Sequence, residues 1–238
     1  MEYNEFEQIF KNREKEINID VSDENIKRLY DYMKTLIDWN KKINLTAITD
    51  EKEIIEKHFI DSLTILNYIK DSDKVVDVGT GAGFPGVPLA INSAAKITLI
   101  DSLNKRINFL NEVKSKLNLD NVQNIHGRAE EIAREKQHRE NYDVAVSRAV
   151  APMNILAEYL LPFVKVGGIC ICMKGPNIEE EILESKNAVE LLGGEVIDQV
   201  NMKLNDGNIS RNLIIIQKVK LTADRYPRRP GVPEKQPL

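Results

Sequence analysis

One stretch constrains this chain more than any other: Lys74-Val75-Val76-Asp77-Val78-Gly79-Thr80-Gly81-Ala82-Gly83-Phe84-Pro85-Gly86. It opens with a short apolar, β-branched run, the pattern of a strand buried on both faces of a parallel sheet. Glycines then recur at alternate positions, and Pro85 sits where a first helical turn accepts proline. Strand, glycine-rich turn and helix start together make a place where backbone can approach a ligand closely. On its own, Gly81-x-Gly83-x-x-Gly86 is equally compatible with a structural turn. Two features weigh toward a ligand site. Asp77 lies just ahead of the first glycine, and a second apolar run, Lys96 to Asp101, ends in a carboxylate. Asp101 falls near the distance at which dinucleotide-binding folds place an acid against ribose hydroxyls.

The rest of the chain fits around that unit. From Asp71 onward, strand patterns alternate with helical ones, as in a parallel sheet covered on both sides. Further strands are expected at 122–125, at 143–147 and at 169–173, the last entered through a Gly167-Gly168 turn. Helices are expected along Leu103, Ile107, Leu110, Val113 and Leu117, near Ala129, from Pro152, and from about Ile178 to Leu192. Two late runs, Glu195 to Leu204 and Ser210 to Val219, are joined by Asn205-Asp206-Gly207, a hairpin signal. With no helix between them they insert one antiparallel strand into the sheet. Residues 2–17 form a weak amphipathic pattern, Ser22 caps a stronger one, and Asp50 with Glu53 offers a capping-box start to a third. The expected fold is therefore α/β: a helical cap over residues 1–70, a sheet domain over 71–220, and a tail over 221–238 too proline-rich for helix or strand.

Composition excludes several classes. A net charge of −4 argues against a protein that coats nucleic acid non-specifically, although the segment from Lys218 onward holds six Lys/Arg against two acids, a net of +4. The N-terminus lacks a signal-peptide pattern, and no apolar run reaches the ~18 residues of a membrane span, so a cytoplasmic protein is expected. Cys170 and Cys172 are expected to point to opposite faces of their strand as unpaired, buried thiols. With no ligand spacing, no metal is expected.

In such folds ligands lie at the carboxyl ends of the strands. Those ends bring together Asp77 to Phe84, Asp101, Arg128-Ala129-Glu130, Ser147-Arg148 and Lys174-Gly175. Glu130 could accept from an adenine amine, with backbone at Ala129 serving a ring nitrogen; equally, it could complement a helix terminus. Phe84 could cover a ligand or belong to the core. Arg148 stays protonated and cannot act as a base, so an acceptor needing no deprotonation, such as guanine N7, would suit it; a structural ion pair is the alternative. His58 reads as a packed or capping histidine.

The Asp77-x-Gly79-x-Gly81-x-Gly83 form resembles the first motif of S-adenosylmethionine-dependent methyltransferases, whose class I sheet carries an antiparallel last strand. Taken with Trp39 to Ala47, His58-Phe59-Ile60-Asp61-Ser62, Ile100 to Arg106, Arg128 to Glu131, Ser147-Arg148-Ala149, Lys174-Gly175 and Tyr226 to Gly231, the chain resembles the bacterial 16S ribosomal RNA guanine-N7 methyltransferase family, also called glucose-inhibited division protein B. The resemblance implies methyl transfer from S-adenosyl-L-methionine to a guanine N7 in the small-subunit RNA. It also implies cofactor contacts at Gly79, Phe84, Ala129, Glu130 and Arg148, to which the residue reading adds Asp77, Gly81 and Asp101. Arg225, Arg228, Arg229, Lys174 and Arg211 are candidates to contact RNA, with 16S rRNA or the small subunit as partner and a monomer expected. Three rival readings remain: a methyltransferase acting on protein or a small molecule, an RNA-binding assembly factor, and an NAD oxidoreductase.

Overall fold

β1 (Lys74–Val78), β2 (Lys96–Asp101), β3 (Val122–His126), β4 (Tyr142–Arg148), β5 (Val164–Lys174), β6 (Gly194–Leu204) and β7 (Ile209–Lys218) form one sheet in the order β3-β2-β1-β4-β5-β7-β6. These positions come from a computed structural model that describes residues 1–238. The first five strands pair in parallel, and β7 runs antiparallel between β5 and β6. The Asn205-Asp206-Gly207 turn supplies that reversal, its residues having φ of 54°, 53° and 88°. The central strands are unbroken apolar runs because both faces are covered; in β1 only Lys74 is exposed.

Each face has its own core. α1 (Tyr3–Glu14), α2 (Asp23–Asn40), α3 (Glu51–Ile54), a π-helical turn (Ile55–Ile60) and α4 (Asp61–Leu63) precede the sheet, and α5 (Gly86–Asn92) and α6 (Asn104–Lys116) follow β1 and β2. Phe6, Phe10, Leu36 and Phe59 from the N-terminal helices share one apolar cluster with Val75, Leu89, Phe109, Ile171 and Ile215. The N-terminal helices thus bury their stripes directly on the sheet layer. Ser22 caps α2 by accepting from the Asn25 N–H at 3.2 Å, and Asp50 caps α3 by accepting from Lys52 and Glu53. Against the opposite face pack α7 (Ala129–Ile132), α8 (Met153–Leu160) and α9 (Glu179–Leu191), with Val76, Ala145, Leu156, Phe163, Ile214 and Ile216. Both cysteines belong to this second cluster. This corrects the opposite-face expectation: residues i and i+2 of a strand share a face. Burial pushes the Cys172 thiol up to about 12.

Two other expectations change. β5 starts at Val164, ahead of the glycine pair, because Tyr142 pairs with Val164 before the register jumps to Val144 opposite Ile169. Gly167, at φ +88°, and Gly168, whose added Cβ would sit 2.5 Å from the Asp143 carbonyl, carry a bulge that reads in sequence as a turn. The tail, expected to hold neither helix nor strand, closes on one helical turn, α10 (Val232–Lys235). Pro233 lies in its first turn, where a missing N–H breaks no helical bond. No helix is long and apolar enough to cross a membrane.

Candidate functional site

The carboxyl ends of β1, β2, β4 and β5, the N-terminal end of β7 and the helical segment around the π turn enclose a cavity of about 660 Å³. One wall is the glycine turn. Gly79 and Thr80 donate their N–H groups to the Ile100 carbonyl, and Gly81 donates to Asp101 Oδ2 at 2.9 Å. These bonds tie β1's turn to the end of β2. Gly81 adopts φ +61°, and an added Cβ would come no closer than 4.0 Å to other protein atoms. A left-handed turn backed by open cavity is a cradle for a ligand.

Asp77 lies underneath this turn rather than in the cavity lining. It is fully buried; Oδ2 accepts from Thr80 Oγ1 at 2.7 Å and from the Gly86 N–H at 2.8 Å, while Oδ1 has no partner. Burial pushes its carboxyl up to about 6. Where direct ligand contact was expected, Asp77 bonds the turn from below. Asp101 does line the cavity, but it is only 2% exposed and already accepts from Gly81, Leu103 and Arg106. An ionised carboxylate has about four acceptor directions, so one stays available to a ribose. Arg106, which sequence reasoning does not single out, also lines the cavity and has a buried, unpartnered Nε.

The opposite wall is built on one carboxylate. Asp61, 1% exposed, accepts from Arg148 Nη1 through Oδ2 and from Arg211 Nε through Oδ1, both at 2.8 Å. Sheet register makes this possible: Arg148 pairs with Met173 and Met173 with Leu213, so Arg148, Lys174 and Arg211 share one end of the sheet. In the π turn, the Asp61 N–H reaches back to the Glu56 carbonyl, and the Lys57 carbonyl accepts from Arg148 Nη1 at 3.1 Å. Such widened turns recur at functional sites. Arg148 Nη2 lies 3.1 Å from His58 Nδ1, and His58 Nε2 lies 2.9 Å from Thr46 Oγ1. Because the guanidinium can only donate, Nδ1 is assigned as acceptor and Nε2 as the protonated nitrogen. Burial, then Arg148, push the His58 pKa down to about 3, so the ring is neutral. It stacks on Phe84 with centroids 4.4 Å apart, and the Arg148 guanidinium sits 5.1 Å from the same ring. Phe84 packs with Tyr32 and Phe59 and also lines the cavity.

Ala129 and Glu130 line a second cavity, of about 110 Å³, that shares Gly79, Asp101, Ser102 and Val150 with the first. Glu130 is 3% exposed and accepts from the Gly231 N–H at 3.0 Å. The expected cofactor residues are thus brought together, Asp77 excepted. Of the candidates for RNA contact, Lys174 and Arg211 line the larger cavity, and three of the five have internal partners. Lys174 donates to the Ala151 carbonyl and to Glu181, Arg211 is held by Asp61, and Arg228 is held by Glu158. Arg225 and Arg229 remain exposed. Asp61 belongs to a motif that the sequence displays, yet nothing there marks it as a site residue; its one signal is a carboxylate three positions after His58, facing the same way along a buried helix.

The sequence matches the family described as "GidB: rRNA small subunit methyltransferase G" over residues 25–218. A protein of Alkaliphilus metalliredigens named Ribosomal RNA small subunit methyltransferase G is 49% identical over 98% of this chain and 99% of its own length. A Clostridium botulinum protein of the same name is 48% identical over the same shares. Among solved structures, M. jannaschii TYW2 in complex with AdoMet aligns at TM-score 0.54 and 19% identity, covering 67% of this chain and 75% of that one. A point mutant of MtNAS in complex with S-adenosylmethionine aligns at TM-score 0.56 and 14% identity, over 81% of this chain and 75% of that one. The structural likeness establishes the shared fold. Cover of nearly the whole length at close to half identity establishes more: this chain belongs to the rRNA small subunit methyltransferase G family.

Proposed function

We propose that the protein transfers a methyl group from S-adenosyl-L-methionine to N7 of a guanine in 16S rRNA, acting as a cytoplasmic monomer. The observation that carries this reading is a cavity with a ligand cradle on one wall and no free base on the other. Asp61 and Asp101 are ion-paired, both His58 nitrogens are occupied, and Lys57, Arg106, Arg148, Lys174 and Arg211 are cationic. Such a site cannot strip a proton from an exocyclic amine, but guanine N7 offers a lone pair with no proton to remove.

The residues present fit the cofactor. Gly81 leaves room for it, Arg106 Nε and one direction of Asp101 are unfilled, and the smaller cavity opens off the larger. When bound, S-adenosylmethionine supplies an electrophilic methyl on a sulfonium. Gly79, Gly81, Phe84 and Asp101 would hold its central part, and Ala129 and Glu130 its adenine. Arg148, fixed by Asp61 and His58, orients groups in the cavity; its rigidity gives the alignment on which rate depends when no proton moves. Thr46, Lys57 and Arg211 form the remaining side, open to a base and its phosphate. Asp77 supports the turn without touching ligand. Within the proposed three-part division, the cap at 1–70 supplies Thr46 and Lys57 to the acceptor side, the domain at 71–220 supplies Arg211 to that side together with the cofactor side, and Arg225 and Arg229 in the tail supply the RNA contacts.

The test is incubation of purified protein with methyl-labelled S-adenosylmethionine and unmodified small subunits, followed by digestion of the RNA to nucleosides. Label in 7-methylguanosine supports the reading. Label in any other nucleoside, or none in RNA despite cofactor binding, overturns it.

A further inference from the structure

The C-terminal segment does something its charge does not suggest. Arg228, one of its cations, is used internally. Arg228 donates its backbone N–H and its guanidinium to Glu158, a fully buried carboxylate, at distances from 2.6 to 3.0 Å. Arg139 donates to the Thr222 and Tyr226 carbonyls, and Arg134 to those of Arg225 and Pro227. Lys218 is fully buried and bonds the Leu161 carbonyl and Thr222. The chain that follows is thereby fixed against α7 and α8. Gly231, at φ +79°, turns it and donates its N–H to Glu130 Oε1. Three residues later Glu234 accepts from the Tyr159 hydroxyl at 3.3 Å.

Both Tyr159 and Glu234 line the smaller cavity beside Glu130. Its volume, about 110 Å³, is of the order of the ~150 Å³ cavity that admits a benzene ring. Val78, Ile100 and Val150 give it apolar walls, and the acceptors cluster with the tail. Glu130 Oε2 has no protein partner, and Glu234 Oε2 has none either. Apolar walls with two carboxylates suit a flat heterocycle that donates from an exocyclic amine, and disfavour one that presents a carbonyl there, because facing acceptors leave each other unpaired.

We propose that residues 228–235 complete the adenine subsite of the cofactor, with Tyr159 and Glu234 as contacts that select a 6-amino over a 6-oxo purine. The proposal rests on the function given above and adds the tail to its cofactor site. Its test is calorimetric binding of S-adenosylhomocysteine and of its inosine counterpart to the full-length protein, in wild type, Glu234→Ala and Tyr159→Phe. Wild type is expected to prefer the adenosine ligand at least about tenfold. Each variant is expected to weaken that ligand about three- to tenfold, with the inosine ligand shifted less than twofold, so that the preference narrows. A general loss of packing would weaken both ligands alike. An unchanged preference in both variants, or parallel losses for the two ligands, overturns the tail's role while leaving the methyltransferase reading intact. No binding of either ligand by wild type would overturn that reading as well.

Discussion

Asp61 is the residue on which the proposed acceptor side depends, because one buried carboxylate holds two guanidiniums. Removing one partner of a buried pair leaves uncompensated charge. Asp61→Asn is expected to cost about 3 kcal/mol in urea denaturation and to lower methyl transfer at least ~10²-fold through misplacement of Arg148. Turnover at the wild-type rate would show that Arg148 needs no such anchor. His58 gives a pH signature of definite sign. Its pKa is about 3 in the folded state and ~6.5 unfolded, so between those values the unfolded chain binds a proton that the native one does not. The contribution is complete above the unfolded value and is lost as pH falls toward the folded one. From pH 7 to pH 5 that loss is about 2 kcal/mol, and His58→Gln should shed correspondingly less stability than wild type over the same interval. Equal losses in the two proteins would mean that His58 is not held neutral. Neither role was legible in sequence. Arg148 stood out as a group at a strand's carboxyl end that cannot act as a base, but its partners lie about 90 positions away on a helix whose π turn has no local signature.

At the scale of elements, the glycine turn was legible because its strand, glycines and following helix are contiguous. The division of labour within it was not. Gly81 faces open space, whereas a Cβ on Gly86 would meet Leu99 Cδ2 at 2.2 Å and Asp77 Oδ2 at 2.8 Å. Gly86→Ala is therefore expected to destabilise the fold by about 3 kcal/mol, by overpacking and by disturbing the Asp77 bond. Gly81→Ala should cost only about 1–2 kcal/mol for its left-handed backbone yet weaken cofactor binding. Thermal melts with and without S-adenosylhomocysteine separate the two: Gly86→Ala lowers the melt itself, and Gly81→Ala lowers the ligand-induced shift. The antiparallel β7 was legible for the same reason as the turn, since its hairpin is local. The start of β5 was not, because a bulge and a turn use the same glycines.

For the whole molecule, charge along the chain and charge on the surface tell different stories. The basic tail reads as an RNA arm, yet Arg228 and Lys218 are consumed by internal partners and only contacts distant in sequence reveal it. Arg225 and Arg229 are exposed, and replacing both with alanine should reduce the log–log salt slope of RNA binding by about 1.4, the loss of two single-strand phosphate contacts. Arg228→Ala should instead lower stability, since it strands the buried Glu158. An unchanged slope in the double variant would move the RNA contacts elsewhere on the molecule.

The central claim is that positioning without a general base moves the methyl group. Single-turnover transfer to small-subunit RNA, followed from pH 6.5 to pH 9 at saturating cofactor, addresses it directly. The rate is expected to be flat, because His58 titrates near 3, the arginines never deprotonate, and N7 has no proton to lose. A rate that rises tenfold per pH unit before levelling off would reveal an essential base, and with it an acceptor other than N7.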